Sequence, residues 1–185
     1  MRVYHAAKMR LGKEAGAVQG APHRPFPRPK PTRCSMKIAI LKERRPHETR
    51  VAATPETVKK LKALGAAEIV IETGAGVAAA YTDQAYSDAG ATIVPDAAAA
   101  VAAADIVFKI QRPMGAGEGV DELALLRQGQ VLMSPLGALF NKDLVQALAA
   151  KGVTAFALEL IPRITRAQSM DILSSQANLA GYKAV

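Results

Sequence analysis

Lys37-Ile38-Ala39-Ile40-Leu41, Thr54-Pro55-Glu56-Thr57 and Glu68-Ile69-Val70-Ile71-Glu72 are the stretch on which the fold turns. The first and last runs are rich in Ile and Val and lack polar alternation. They read as strands buried on both faces. Between them Thr54 is a helix N-cap with Pro55 at the first helical position, and that helix stops at Gly65. Strand, helix and strand in this order form a βαβ unit.

The same alternation continues outward. Further strands are expected at Thr92–Val94, Asp105–Ile110, Gln130–Met133 and Thr154–Leu160. Thr82 opens a helix that ends at Gly90, and Asp96 caps an Ala-rich run to Ala104. That run reads as a tightly packed helix rather than low complexity, because Ala has the highest helix propensity. Asp121–Gln128 is a helix closed by Gly129, and Asn141 caps another that ends at Gly152. A last helix starts near Asp171 and is still running at Val185. Regular alternation of this kind implies a mostly parallel sheet. The expected fold class is α/β: a Rossmann-like parallel sheet with flanking helices over residues 36–185, preceded by a disordered basic tail, residues 1–35.

The formal charge of +8 belongs to that tail. Residues 1–35 carry eight basic side chains against Glu14 alone, and residues 36–185 carry 16 basic against 15 acidic. The body is therefore close to neutral, and a nucleic-acid partner for the whole chain loses its support. The tail also holds five of the 11 prolines and the one cysteine, Cys34. It reads as residues ahead of a true start at Met36, with a disordered arm or a targeting segment as the other readings. Without cysteine the body has no disulfide and no Cys-based metal site. No apolar run approaches the ~20 residues that span a bilayer.

Several motifs bear on function. Gly74-Ala75-Gly76-Val77-Ala78-Ala79 matches GxGxxA after a strand, and Asp96 stands 20 residues beyond Gly76. Spacing alone permits a dinucleotide fingerprint. Tyr81-Thr82-Asp83, however, opens a fresh helix where the fingerprint helix should be under way. A glycine turn joining strand to helix is the preferred reading.

Lys42 to Arg50 follows the first strand and Lys109-Ile110-Gln111-Arg112-Pro113 ends the fourth. Both lie at carboxyl ends, where open α/β sheets bind ligands. Arg50 is the best fixed of the first group, and Gln111 and Arg112 are candidates for lining a crevice. The richest segment runs from Arg163 to Ser174, with Gln168 and Asp171 between them. It puts a fixed cation, an amide, a carboxylate and a hydroxyl just past an apolar run. Such donors and acceptors grip a carboxamide. Read structurally, Asp171 is an N-cap and Arg163 a surface charge.

The chemistry is narrowed by what is missing. His47 is the only histidine after residue 35, and the body offers no Ser/His/Asp set, Cys nucleophile or metal-ligand cluster. Hydride transfer between two nicotinamide rings needs no general acid or base, only close and oriented rings.

From Met36 to Val185 the chain resembles the start of domain I of proton-translocating NAD(P) transhydrogenase, which lies in the alpha subunit. The resemblance rests on five stretches. They are Met36-Lys37-Ile38-Ala39-Ile40, Lys42-Glu43-Arg44-Arg45-Pro46, Arg50-Val51-Ala52, Lys109 through Pro113, and Arg163 through Tyr182. By this resemblance Arg163, Asp171 and Ser174 hold the NAD(H) nicotinamide carboxamide. Gln168 reaches the nicotinamide ribose of NADP(H) bound by another subunit, and Gln168 and Asp171 serve catalysis.

The resemblance also implies a second lobe carrying the NAD fingerprint, beyond the helix that starts near Asp171, so residues 36–185 read as the first lobe alone. NAD(H) would then be held mostly outside this chain, and the fragment by itself would be inactive. Implied partners are the membrane domain and the NADP(H)-binding beta subunit, with a homodimer of domain I. The implied location is cytoplasmic, peripheral to the inner membrane through those partners.

Alanine dehydrogenase is similar in fold and opening motif. That family uses a Lys and a His where this chain has Gln111 and Gly137, which opposes amino-acid oxidation. A non-enzymatic binder acting through the basic arm is the remaining alternative.

Overall fold

A computed structural model describes residues 36–184. The expected tail, residues 1–35, lies outside the described residues, and with it the reading of Met36 as the true start.

Six strands alternate with helices in the expected order. Strand β1 (Lys37–Ile40) leads through α1 (Pro55–Ala63) to β2 (Glu68–Glu72). Helix α2 (Asp83–Asp88) precedes β3 (Thr92–Val94), and α3 (Ala97–Ala103) returns the chain to β4 (Ile106–Phe108). Then come α4 (Glu122–Leu125), β5 (Val131–Ser134), α5 (Lys142–Ala150) and β6 (Thr154–Ala157). A single-turn segment at Leu158–Leu160 and a 3-10 segment at Thr165–Met170 lead into α6 (Ile172–Ala184).

The sheet order is β3-β2-β1-β4-β5-β6. Every pairing is parallel. This is the doubly wound arrangement, with the strand order reversing between β1 and β4.

Alternating side chains feed two cores. Ile38, Ile40, Ile69 and Ile71 face one side and pack with Val58 of α1 and Tyr86 of α2. Ala39, Leu41, Val70 and Val107 face the other and pack with α3, Leu126 and Leu148 of α5. The Ala-rich run is indeed a packed helix: Ala97, Ala100 and Val101 are buried against the sheet. Capping follows the sequence at three helices, where Thr54, Thr82 and Asp96 each accept from a backbone N–H of the first turn.

Four expectations need correction. β4 ends at Phe108 rather than Ile110, because the Ile110 N–H donates to Glu43 Oε1 (2.6 Å) instead of to a strand. The helix expected over Asp121–Gln128 covers only Glu122–Leu125. Past it the backbone is extended, and the Arg127 N–H donates to Gln130 Oε1 (2.7 Å). Asn141 sits at the start of α5 but does not cap it. Its amide donates backwards to the carbonyls of Leu136 (2.9 Å) and Gly137 (3.1 Å). Finally β6 stops at Ala157, and Thr154, Ala155 and Phe156 are exposed. It is an edge strand paired only with β5, so its apolar composition reports no burial within residues 36–184.

Candidate functional site

The carboxyl ends of β1 and β4 flank the reversal point, and the loops that follow them are heavily charged. The floor between them is a buried ionic cluster. Lys109, 2% exposed, lies 2.9 Å from Glu122 Oε1 and 3.3 Å from Glu43 Oε2. Glu122, 1% exposed, also accepts from Arg44 Nη1 (3.1 Å) and from the Met114 N–H (3.0 Å). Arg44 in turn pairs with Glu72, which accepts from the Lys42 N–H (2.9 Å). Burial pushes the Glu43 carboxyl above its usual range, against the pull of Lys109 and of the Ile110 N–H. The cluster stitches β1, β2, β4 and α4 together beneath the crevice. Two cations among three carboxylates leave each buried charge with a partner, which is the condition for tolerating them there.

Above this floor Arg50 is gripped by Glu48. Its Nε donates to Oε1 (2.8 Å) and its Nη2 to Oε2 (2.7 Å), a fork-on-fork pair. Gln111 Nε2 donates to the same Glu48 Oε2 (2.6 Å). The hydrogen bond from Arg50, then the one from Gln111, hold the Glu48 carboxyl down at about 2 despite partial burial. A carboxyl depressed from an ordinary 4.5 to about 2 stabilises the fold fully above pH 4.5. That contribution is lost as pH falls toward 2. Glu48→Gln should therefore flatten the acid limb of stability between about pH 4.5 and 2, read from thermal melts at pH 3 and pH 6.

Arg50, Gln111, Glu159 and Gln176 help line a cavity of about 520 Å³. Glu159 closes it on the β5 side by accepting from the N–H groups of Leu136 (3.0 Å) and Ala138 (2.9 Å). Burial opposes its ionisation, but those backbone donors prevail and lower its pKa. Arg112, expected at the crevice, instead turns with Arg45 onto Glu118 and lines a neighbouring cavity.

The Arg163–Ser174 segment forms its own cavity, of about 290 Å³, lined by Arg163, Ile164, Thr165, Gln168, Asp171 and Ser174. All four polar residues singled out in the sequence meet there. Asp171 also does what the structural reading required. Its Oδ1 accepts from the N–H groups of Leu173 (2.9 Å) and Ser174 (3.2 Å), and its Oδ2 from Ser174 Oγ (2.6 Å). The Ser174 hydroxyl, with smaller help from the backbone and Arg163, lowers the Asp171 pKa. The start of α6 divides the two cavities: Ile172 and Leu173 face the larger, Asp171 and Ser174 the smaller.

The GxGxxA turn is no phosphate cradle. The Gly74 N–H points at Asp83 (3.0 Å to Oδ1), whose Oδ2 also takes the Thr73 hydroxyl (2.5 Å). A carboxylate already occupies the place an anionic ligand would need. A Cβ on Gly76 would stand 2.5 Å from the ring of Tyr86 and 2.9 Å from the carbonyl of Tyr81. Gly76 is glycine for aromatic packing.

Glu48, Glu122 and Gln176 were not singled out in the sequence. Glu122 reads there as a first-turn acid, and Gln176 has its partner 126 positions away. Only a charged residue bounding an apolar strand, as Lys109 does, hinted at the buried cluster. Among the described residues no group of three or more His, Cys, Asp or Glu side chains could hold a metal ion. No described helix is long and apolar enough to cross a membrane.

A doubly wound sheet, a charged crevice at its reversal point and a polar cavity beside it define the first lobe of a two-cavity α/β protein. The family model "Alanine dehydrogenase/PNT, N-terminal domain" matches residues 39–180, and the chain belongs to that family. The first segment of NAD(P) transhydrogenase subunit alpha from Rhodospirillum rubrum is 62% identical over 150 residues, covering 81% of this chain and 39% of the relative. A crystal structure of transhydrogenase from Sinorhizobium meliloti is 47% identical with a TM-score of 0.73, over 80% of this chain and 42% of that one. Alanine dehydrogenase of Bacillus subtilis is more distant, 34% identical over 80% of this chain and 37% of the relative. The chain thus spans about two fifths of the length of the relatives it matches.

Proposed function

We propose that residues 36–185 are the first lobe of a transhydrogenase domain I, serving hydride transfer from NADH to NADP+ coupled to proton translocation. The observation that carries this reading is the meeting of Arg163, Gln168, Asp171 and Ser174 in one cavity.

The donor set fits a nicotinamide carboxamide. Such a group offers one carbonyl and one NH₂. Arg163 and the Gln168 amide supply donors, and the Gln168 carbonyl accepts. Asp171 has roughly four acceptor positions, and Leu173, Ser174 N–H and Ser174 Oγ use three. One position on the carboxylate is left for the NH₂. The bound ring supplies the hydride. The chain's own residues orient it, with Arg163, Asp171 and Ser174 on the carboxamide and Gln168 toward the NADP(H) ribose. No proton is moved, which suits a cavity without His, Cys or Lys.

The remainder of the reading follows the relatives' names and length. The other NAD(H) contacts come from a second lobe, and NADP(H) from a beta subunit. Domain I pairs as a homodimer on the cytoplasmic side of the inner membrane, held there by its partners. An alanine dehydrogenase activity is disfavoured by Gln111, whose amide is taken up by Glu48, and by Gly137. Gly137 has φ of 58°, and a Cβ there would meet Asn141 Nδ2 at 2.7 Å, so a histidine has no ready place.

The test is made on the assembled enzyme with its alpha and beta subunits. Gln168→Ala and Asp171→Ala should each cut NADH-to-NADP+ transfer by about 10²-fold, as expected for lost orientation. Alanine should not reduce NAD+ in the same preparation. Alanine-dependent reduction, or full transfer in both variants, would overturn the reading.

A further inference from the structure

We propose that Arg50 is a positioning residue for the Arg163–Ser174 cavity, acting at a distance through Gln176; this rests on the function proposed above for that cavity.

The segment that builds the cavity is loosely attached. Between Thr165 and Ala184 only Ala167 is buried. Its backbone hydrogen bonds are local, such as Ala167 N–H to the Ile164 carbonyl and Asp171 N–H to the Gln168 carbonyl. Its side-chain bonds run within the first turn of α6, from Asp171 to Ser174 and from Ile172 to Ser175.

One exception joins it to the sheet. Arg50 Nη1 donates to Gln176 Oε1 at 3.0 Å. Among the described residues this is the single hydrogen bond between residues 163–184 and anything before Leu158.

That bond starts from a rigid base. The other edge of the Arg50 guanidinium is locked onto Glu48, and Glu48 is held by Gln111 at the end of β4. A relay therefore runs from the strand end through Gln111, Glu48 and Arg50 to α6. At about 100° per residue, Gln176 stands roughly 200° around the helix from Ser174. The latch and the ligand-facing residues lie on opposite sides of α6. Restraining Gln176 sets the rotation of the helix about its axis, and so the direction in which Asp171 and Ser174 face. Arg50 leaves its own charge on Glu48 and touches neither the cavity nor what it holds.

The experiment follows amide hydrogen exchange in the full 185-residue chain, in three variants. Gln176→Leu removes the acceptor at similar volume, and Gln176→Glu keeps it. Gln176→Leu should speed exchange over residues 165–176 by about tenfold, with the strands unchanged, because one charge-assisted bond is lost. Gln176→Glu should retain the slow exchange. Adding Arg50→Gln to Gln176→Leu should accelerate this window no further. Unchanged exchange in Gln176→Leu, acceleration throughout the lobe, or failure of Gln176→Glu to protect would overturn the latch.

A second arm measures hydride transfer at saturating nucleotide in the assembled enzyme. The rate should fall about tenfold in Gln176→Leu and recover in Gln176→Glu, with KM for NADH unchanged. An unchanged rate overturns the positioning role. Absence of transfer in the parent assembly overturns the function reading instead, and the exchange result still decides the latch.

Discussion

Lys109→Met should destabilise the lobe by about 3–5 kcal/mol, the largest effect expected of any single substitution here. Lys109 is one of two cations facing three buried carboxylates, and it alone reaches Glu43. Methionine fills the volume but leaves Glu43 and half of Glu122's pairing uncompensated. The penalty comes from the stranded charges rather than from a lost contact, so it depends on pH. Glu43 already has a raised pKa, and without Lys109 it rises further. A carboxyl that binds its proton more tightly in the folded state stabilises the fold at low pH and loses that contribution as pH rises through its folded value. Lys109→Met should thus be less unstable near pH 5 than at pH 8. Thermal melts across that range test it; a pH-independent loss would mean that packing, not charge, is what Lys109 supplies.

Gly76→Ala should cost about 3 kcal/mol through overpacking, at the upper end of what a single added methyl does. The backbone at Gly76 is right-handed helical, φ −91°, so alanine meets no dihedral strain. The conflict is steric: a Cβ would lie 2.5 Å from the Tyr86 ring and 2.9 Å from both the Cβ and the carbonyl of Tyr81. Tyr86 has no room to retreat. It is fully buried, and its hydroxyl donates to the Ala53 carbonyl at 2.8 Å. The functional side of this prediction is an absence of effect. In the assembled enzyme, the folded Gly76→Ala protein should bind NADH as the parent does, since the turn serves Tyr81 and Tyr86. A weakened NADH affinity at a temperature well below the melting transition would restore the fingerprint reading.

The latch proposed at Arg50 and the ionic floor have one property in common. Each joins segments far apart in the chain by charge rather than by apolar area. Apolar contact explains why the sheet forms, and its two cores account for α1 through α5. It does not explain why a largely exposed segment after β6 should hold one geometry. A guanidinium with one edge fixed and the other offered to Gln176 does.

The sequence by itself determined the strand order in the chain, the helices between the strands and their caps at Thr54, Thr82 and Asp96. These depend on neighbours within four residues and on apolar runs that read the same in isolation. It also determined that Arg163, Gln168, Asp171 and Ser174 belong together, because they lie within twelve residues on one loop and helix start. What only the tertiary structure decided is everything that joins distant positions. The sheet order, the exposure of β6, the turn of Arg112 away to Glu118, and the burial of Glu122 beside Lys109 have no local signature. The same holds for Gly76, whose reason is the Tyr86 ring, and for Gln176, whose partner is Arg50. A side chain's period or cap is written in its neighbours. The charge that it pairs with, and the space that it lacks, are set only when the sheet brings the carboxyl ends of β1 and β4 side by side.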